Sequence, residues 1–585
     1  MKTSFCILFC LFCFSISLFG QNQIEIQGNI LDKETKEPIA FANIYNKSSK
    51  KGTISNTEGY FRIFINEVTD TITISFIGYV EQHIKIKVGK KNYLILLEEN
   101  ILLLHEVTVT PKDNSYLFEL VHTIKKSISN IERKSKAYYE LKSFVNNRQI
   151  ELVESYYNID VRGYKLTNMY LKAGRIALHN NNNRIFTSLE SSRALLLLNL
   201  FDNNSYFPIN PMELTKSKLR KNYYLNLDSK YLDMANDSIY IIEYKPKDTT
   251  GLFFYGKLWI NKTKNQLLKI TLYCNNTLKY PFLPIFKTDK ISKVSLFITQ
   301  SFTTSNGQVV FKHTDFSYKI DYISRIGKTE EQNYTILTNA VLYAYDYESS
   351  FNLPFFDFKD SNIGDYQKIN AMPYNDFFWT YNDEYRLNDS INANELFFAD
   401  SSSVTNLTLF KSNSISKKGL FEHPYVSWSK NRIKFREIIQ DTSVTNSITG
   451  FKSEQYNLAV KIFFDINSYN DSTNILTSTV FDPYESFYHL PMDNQTLCFV
   501  NIYFDLCEIA RRELEEKLKA SKHNIQRTKE IYNDFLTQFE LKRNEYLNAV
   551  ERGANEKEMI KFNNEVYEKL GINNINLFRP YENGK

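Results

Sequence analysis

Residues 23–99 constrain the fold of this chain more than any other part of the 585-residue sequence. Short segments alternate apolar and polar residues, as isoleucine and threonine do at 71–74. Turn-forming residues separate these segments about every ten positions, and Gly59 is placed to supply the positive φ of a tight turn. A period of two with frequent turns is typical of antiparallel strands, so the stretch predicts a β-sandwich of about seven strands.

The motifs of this stretch also follow a recognisable order and spacing. They are G-N-I-L-D at 28–32, E-P-I-A-F-A-N-I at 37–44, K-G-T-I-S-N-T-E-G-Y-F at 51–61, I-S-F-I-G-Y at 74–79, L-I-L-L at 94–97 and E-V-T-V at 106–109. In these residues the chain resembles the carboxypeptidase regulatory-like domain, a transthyretin-like β-sandwich of envelope proteins in gram-negative bacteria. That domain is a non-catalytic appendage without peptidase ligands, so the resemblance implies a docking or spacer module.

The amino terminus is typical of a secretory signal peptide, residues 1–20. An apolar run at 5–19 follows a positively charged start, and Gly20 precedes the expected cleavage point. The run is short for a membrane span, and we expect no transmembrane helix in the mature chain. Cys10 and Cys13 keep a lipid anchor open as the alternative. The predicted location is the periplasm, the outer membrane or the cell surface.

Charge and cysteine content argue against two classes of protein. The formal net charge is +5 over 585 residues, without the basic block that nucleic-acid binding uses, so no nucleic-acid partner is expected. Three cysteines remain after cleavage, Cys274, Cys498 and Cys507, and an odd count this low argues against a disulfide framework. Aromatic residues make up 15% of the chain, which suits β-structure but also carbohydrate-binding platforms.

The middle of the chain is predicted to be mainly β. Residues 100–135 are interpreted as a connecting strand and a linker helix, with helical apolar spacing from 115 to 134. Residues 136–345 are predicted to form a large antiparallel β domain with a hairpin at 256–273. Locally this pattern resembles the curved sheets of periplasmic lipoprotein-carrier-like proteins.

The last 240 or so residues divide into two regions. Residues 346–480 are rich in aromatic and polar residues with little periodicity, and we expect irregular structure with strands at 458–466 and 474–480. Residues 481–585 are predicted to be helical. There, Asp493 can cap a long helix whose apolar seam suits a coiled coil or a helical hairpin, and packing on its own chain is favoured over oligomerisation. The fold class is therefore mainly β with α.

One cluster of side chains could build a metal or acid–base site. It combines Asp482, Glu485, His489 and Asp493 in a proline-bounded loop before a helix. Capping and turn formation are the more frequent roles of such residues at such a place, so no catalytic, metal or cofactor residue is assigned. His423 lies in similar polar and aromatic surroundings. The sequence holds no H-E-x-x-H, G-x-S-x-G, P-loop or Rossmann motif.

These observations favour a secreted envelope protein that has a binding or assembly role and no identifiable reaction. Its partner would be another envelope protein, or a hydrophobic or glycan ligand. Two alternatives stay open. One is a hydrolase or peptidase with an unrecognised site at 482–493. The other is a component related to TonB-dependent outer-membrane transport, because such sandwiches often precede those transporters.

Overall fold

The structure is a computed structural model. It describes residues 24–48, 51–56, 58–65, 71–87, 89–99, 114–126, 128, 130–178, 191–233, 235–284, 288–326, 330–355, 365, 368–369, 372–373, 375–382, 426–428, 432–434, 456–469, 472–481, 486–488, 493–521 and 524–581. The predicted signal peptide and the connecting strand before residue 111 lie outside these ranges. Within them, no helix is both long and apolar enough to cross a membrane.

Seven amino-terminal strands form two facing sheets, with the orders β4-β1-β7 and β3-β2-β5-β6. The strands are β1 (Ile24–Asp32), β2 (Asn43–Asn46), β3 (Lys51–Ile54), β4 (Tyr60–Ile65), β5 (Thr71–Ser75), β6 (Gln82–Lys85) and β7 (Asn92–Leu97). Isoleucines from both sheets meet in one core, among them Ile26, Ile44, Ile63 and Ile74. The predicted seven-stranded sandwich is therefore confirmed.

One strand pair of the sandwich differs from the expected antiparallel pattern. β1 lies parallel to β7, with Gly28 opposite Tyr93. Parallel neighbours need a long connection, and the five strands between β1 and β7 supply it. A Cβ at Gly28 would lie 2.0 Å from the Tyr93 carbonyl oxygen, so this pairing requires glycine. Gly59 has a φ of +72°, as the predicted turn requires.

Ten strands form a large sheet in which every neighbouring pair is antiparallel, in the order β10-β9-β8-β17-β16-β15-β14-β13-β12-β11. They are β8 (Glu132–Val145), β9 (Arg148–Arg162), β10 (Lys165–Leu178), β11 (Tyr223–Leu232), β12 (Ser238–Pro246), β13 (Gly256–Asn261), β14 (Gln266–Cys274), β15 (Lys290–Ser305), β16 (Gln308–Ile326) and β17 (Glu330–Asp346). They include the predicted hairpin at 256–273. The boundaries of the predicted β domain itself stay a prediction.

The two faces of the large sheet differ in polarity. On one face Leu141 and its alternating neighbours form the largest apolar core of the protein. Three helices are associated with this core, α1 (Ser115–Lys126), α2 (Ser191–Leu197) and α3 (Lys216–Asn222). On the other face Tyr138, Glu140 and Glu154 are buried although they are polar. That second face is covered by the remaining parts of the chain, as described below.

The linker helix packs on the sheet as expected, but it is shorter than predicted. Its buried residues Leu117, Val121 and Ile124 join the core of the large sheet. The helix ends at Lys126, and β8 begins at Glu132 rather than after Lys134. The reason is that the apolar spacing of the helix stops at residue 128, whereas the alternation of β8 already begins in the charged segment that follows.

The carboxyl-terminal region combines small sheets with helices. Its strands are β18 (Val426–Ser427), β19 (Tyr456–Asn457), β20 (Val460–Tyr469), β21 (Ser472–Phe481) and β22 (Phe487–Tyr488). Its helices are α4 (Asp376–Tyr381), α5 (Asn494–Ser521), α6 (Ile525–Ala549), α7 (Glu556–Leu570) and α8 (Asn574–Phe578). The long helices and the strand pair β20–β21, whose sequence was interpreted as strands at 458–466 and 474–480, share one core.

The carboxyl-terminal seam folds back on itself. Tyr546 of α6 stacks on Phe499 of α5 with ring centroids 5.7 Å apart, and its hydroxyl donates to the Phe499 carbonyl oxygen. The two helices therefore form the helical hairpin, one of the two arrangements that the seam allowed. Gly571 ends α7 in the left-handed conformation with a φ of +70°.

Candidate functional site

The amino-terminal sandwich packs on the polar face of the large sheet. The ring of Phe41 lies 4.3 Å from the ring of His313 on β16, measured between centroids. Lys312 Nζ donates a hydrogen bond to Asn43 Oδ1 at 2.9 Å. Ile54 at the end of β3 joins an apolar cluster with side chains of this sheet face, namely Tyr138, Tyr156, Val341 and Tyr343. The sandwich is thus in direct contact with the sheet.

The carboxyl-terminal region meets the same face beside the sandwich. Lys172 of β10 forms an ion pair with Asp465 of β20 at 2.5 Å, and both side chains are buried. The Lys172 ammonium also donates to the backbone oxygen of Asn352 at 2.6 Å. Phe355 pairs with Phe464 through two backbone hydrogen bonds. The segment after β17 therefore connects the two regions.

A cavity of about 1000 Å³ lies where these parts meet. The sandwich contributes Asn43, Tyr45 and Gly52 to its wall. The large sheet and its turns contribute Lys136, Lys172, Lys312, Tyr343 and residues 303–306, and the segment at 344–352 lines it further. The wall is completed by α4 and by the end of β20, through Phe377, Phe378, Tyr381, Asn382 and residues 466–469. A volume of this size is typical of sites for small ligands.

Aromatic side chains form much of the cavity wall. Tyr381 stacks on Tyr469 with ring centroids 4.3 Å apart and an interplanar angle of 19°. Tyr343 and Tyr345 of β17 stack with ring centroids 6.3 Å apart. Such rings offer flat apolar faces, while the neighbouring hydroxyl and amide groups offer hydrogen bonds. The cavity can therefore hold a ring-shaped ligand that carries polar groups.

The three lysines of the cavity differ in their partners. Lys136 Nζ lies 3.3 Å from the Asp346 carboxylate, and Lys172 pairs with Asp465 as described above. Lys312 has no such partner: among the residues that the structure describes, no carboxylate forms an ion pair with it. Burial lowers the pKa of Lys312 to about 8, and no anion offsets this effect.

Further ionisable groups are buried behind Lys312, between the sheet and the sandwich. Burial, with the nearby Lys269 and Lys312 ammonium groups, lowers the pKa of His313 to about 3, so its imidazole is neutral at physiological pH. Burial lowers the pKa of Lys269 to about 8 and raises the pKa of Asp315 to about 6. His313 Nδ1 lies 2.9 Å from the Ser301 hydroxyl. These ionisable groups lie at the contact between the large sheet and the sandwich.

The four-residue cluster singled out in the sequence falls mostly outside the described residues. Asp482, Glu485 and His489 lie there, as does His423. Asp493 is described, and its carboxylate accepts a hydrogen bond from the Thr496 backbone N–H at 2.8 Å, which caps α5. The expectation that this cluster serves in capping and turns, and not as a metal or acid–base site, therefore stays a prediction.

The described residues offer few groups suited to covalent or metal chemistry. No group of three or more histidine, cysteine or acidic residues that could hold a metal occurs in this part of the chain. Burial raises the pKa of Cys498 and of Cys507 to about 12, so these thiols are not reactive thiolates near neutral pH. Burial also raises the pKa of the Cys274 thiol.

The cavity was not predicted from the sequence. The aromatic residues at 351 and 377–381 were noted, but only as parts of an irregular region. The alternation along β16 could not predict on which side of the sheet Lys312 lies, because a β-bulge interrupts it. Phe302 pairs with Phe311, whereas Ser301 pairs with His313. The neighbouring basic residues Lys312 and His313 beside this bulge were the available hint.

The sandwich matches the family model of the CarboxypepD_reg-like domain over residues 26–109. This segment is a CarboxypepD_reg-like domain. The family resemblance predicted from the sequence is confirmed for it. Part of TonB-dependent receptor SusC of Bacteroides thetaiotaomicron is 34% identical to this chain over 95 residues. The match covers 16% of this chain and 9% of that receptor, so the chain spans less than a tenth of the receptor's length.

Beyond the CarboxypepD_reg-like domain, the similarities are to solved structures with low sequence identity. A LolA superfamily protein, NE2245 of Nitrosomonas europaea, is 11% identical, with 41% of this chain and 94% of that chain covered and a TM-score of 0.16. The Pseudomonas aeruginosa MucA/MucB complex gives 9% identity, coverage of 39% and 93%, and a TM-score of 0.14. At these TM-scores the likeness establishes neither a shared fold nor a shared function.

Proposed function

We propose that this chain is an exported envelope protein that binds a glycan in the cavity between its sandwich, its large sheet and its carboxyl-terminal region. In this proposal the CarboxypepD_reg-like domain is a docking module that supplies one wall of the site. It catalyses no reaction. The observation that carries the proposal is the cavity of about 1000 Å³ itself, whose wall comes from three separate regions of the chain.

The composition of the wall supports a sugar as the ligand. Pyranose rings have apolar faces that stack on aromatic side chains, and the stacked pair of Tyr381 and Tyr469 offers such a surface. Hydroxyl and amide groups at 303–306 and Asn467 are placed to bind sugar hydroxyl groups. A purely apolar ligand would leave these polar groups without partners, at a cost in affinity.

The proposal is tested by measuring how neutral and acidic trisaccharides change the melting temperature of the full chain. Galactotriose and trigalacturonate serve as the neutral and the acidic probe. We expect at least one of them to raise the melting temperature, and Tyr381→Ala to abolish the rise because the variant removes a ring from the cavity wall. Tyr206→Ala is the matched control, since Tyr206 is half exposed and does not line the cavity. If neither trisaccharide stabilises the wild type, the proposal is wrong.

A second candidate function is a component of TonB-dependent outer-membrane transport. The observation that favours it is the 34% identity to part of receptor SusC. Fractionation of the native cell envelope followed by crosslinking tests it. Crosslinks between the sandwich and a TonB-dependent receptor would support this candidate, and an envelope protein that crosslinks to no receptor would contradict it.

A further inference from the structure

Lys312 is a cation whose charge nothing in the described part of the cavity neutralises. Its ammonium group has three donors, and the hydrogen bond to Asn43 Oδ1 uses one of them. Asn43 is neutral, and the nearest aromatic contact is the Tyr343 ring, 5.9 Å from Nζ to the centroid. A partly buried ammonium without a counter-charge costs stability, so an anion that reaches Nζ would restore part of that free energy.

The other two lysines of the cavity wall are neutralised by carboxylates. Lys136 and Lys172 each have an aspartate partner, Asp346 and Asp465. Both aspartates therefore already have a cation beside them. Lys312 differs from its neighbours in the absence of a carboxylate, although it lines the same cavity.

The charged groups behind Lys312 are Lys269 and Asp315, whose opposite charges offset each other. Lys269 lies close enough to raise the potential at His313, as Lys312 does. Asp315 is the acidic group nearby, and it interacts with Lys269. The His313 imidazole is neutral and adds no charge at physiological pH. The cavity wall also carries the carboxylates of Asp346 and Glu348, so an anion is attracted locally at Lys312 Nζ rather than by the cavity as a whole.

From this arrangement we infer that the ligand of the cavity is an acidic sugar whose carboxylate or phosphate group is held by Lys312 Nζ. This inference rests on the proposed function, because it names the chemical class of the glycan that the cavity binds. The hydroxyl groups at 303–306 bind the body of the sugar, and the tyrosines stack on its ring faces. Lys312 is thus the residue that distinguishes acidic from neutral sugars.

The test is isothermal titration calorimetry of the full chain with three probes. Trigalacturonate carries carboxylates, galactose 1-phosphate carries a phosphate, and galactotriose is the neutral counterpart. Lys312→Met is the test variant, and Lys319→Met is its control because Lys319 lies exposed on the same strand. A thermal melt of each variant shows that it is folded, and Lys312→Gln serves as a second variant if Lys312→Met does not fold.

We expect an acidic probe to bind more tightly than galactotriose and Lys312→Met to weaken that binding about tenfold or more, as loss of a charge-assisted hydrogen bond does. Lys319→Met leaves it unchanged, and galactotriose binding does not depend on Lys312. Dependence on Lys312 for trigalacturonate identifies a carboxylate ligand, and for galactose 1-phosphate a phosphate ligand.

The titrations distinguish failure of the anion site from failure of glycan binding. If galactotriose binds as tightly as both acidic probes and Lys312→Met changes nothing, the inference about the anion is wrong while the proposed glycan-binding function stands. If no probe binds the wild type, the proposed function fails, and the inference fails with it.

Discussion

Lys172 of the large sheet and Asp465 of the carboxyl-terminal region form an ion pair of 2.5 Å in which both side chains are buried. Three groups accept hydrogen bonds from the Lys172 ammonium: the Asp465 carboxylate and the backbone oxygens of Asn352 and Ile466. Burial lowers the pKa of Lys172, whereas the Asp465 charge opposes that effect. The pair therefore links two parts of the chain that are far apart in sequence.

Lys172→Met should destabilise the protein by about 3–5 kcal/mol, because it leaves the Asp465 carboxylate buried and unpaired. The double variant Lys172→Met with Asp465→Asn should recover much of this loss, since it removes the unpaired charge. Denaturant unfolding measures both. Equal stability of the single and the double variant would show that the ion pair is not the link between these regions.

The stability of the docked sandwich should fall in acid because of His313. Its pKa in the folded chain is about 3, below the 6.5 of an unperturbed histidine, so the unfolded state binds more protons between these values. Stability is therefore fully present above about pH 6.5 and is lost as the pH falls towards 3. Asp315 has the opposite effect below pH 6, because its pKa is raised to about 6, and the ammonium groups of Lys269 and Lys312 stay charged throughout.

The variant His313→Gln separates the contribution of the imidazole to the pH dependence of stability from that of Asp315. The free energy of unfolding of the wild type minus that of the variant should fall by about 2–3 kcal/mol between pH 7 and pH 4.5. Denaturant unfolding at several pH values measures this difference. A difference that stays constant with pH would mean that the imidazole is not buried against the sandwich.

Phe41→Ala should loosen the sandwich from the large sheet, because it removes the ring that packs 4.3 Å from His313. Hydrogen–deuterium exchange should then rise in the part of β16 around His313, while the sandwich itself stays folded. Leu94→Ala is the matched control, since Leu94 is 66% exposed on β7 of the same sandwich. Unchanged exchange at β16 in Phe41→Ala would contradict the docked arrangement.

The Asp505 carboxylate should be essential for the stability of the carboxyl-terminal region. Its buried carboxylate accepts hydrogen bonds from Trp428 Nε1 at 2.8 Å, from Arg432 at 2.6 Å and from Asn574 at 2.7 Å. Asp505→Ala leaves the buried guanidinium and amide donors unpaired and should cost about 3 kcal/mol or more in stability. Asp534→Ala, at an exposed position of α6, should cost less than about 0.5 kcal/mol. Similar melting temperatures for both variants would refute this role.

The sequence predicted those features that depend on local patterns. Period-two alternation and turn residues were enough for the sandwich, and Asp493 was predicted as a helix cap because capping is local. The parallel pairing of β1 with β7 was not predicted, because local sequence patterns do not specify which strands of a sheet become neighbours. The end of α1 was also misplaced, because the charged segment from 128 to 135 suits either a helix or a strand.

The cavity could not be predicted for a different reason. Asn43 lies 269 residues before Lys312, and Tyr381 and Asn467 lie further along the chain, so their meeting depends on how three regions pack together. Each residue alone has an ordinary local role in a strand, a turn or a short helix. The bulge in β16 that orients Lys312 depends on its pairing with β15 and leaves no regular pattern in the sequence.

The central claim is that a sugar ligand binds between the sandwich and the large sheet, and a crystal structure of the full chain with bound sugar tests it most directly. The crystals would be grown with trigalacturonate or galactotriose, whichever binds more tightly. We predict electron density for the sugar in the cavity, with Tyr381 against a ring face and Asn43 still beside Lys312. A sugar bound elsewhere on the protein, or a sandwich lying away from β16, would contradict the account.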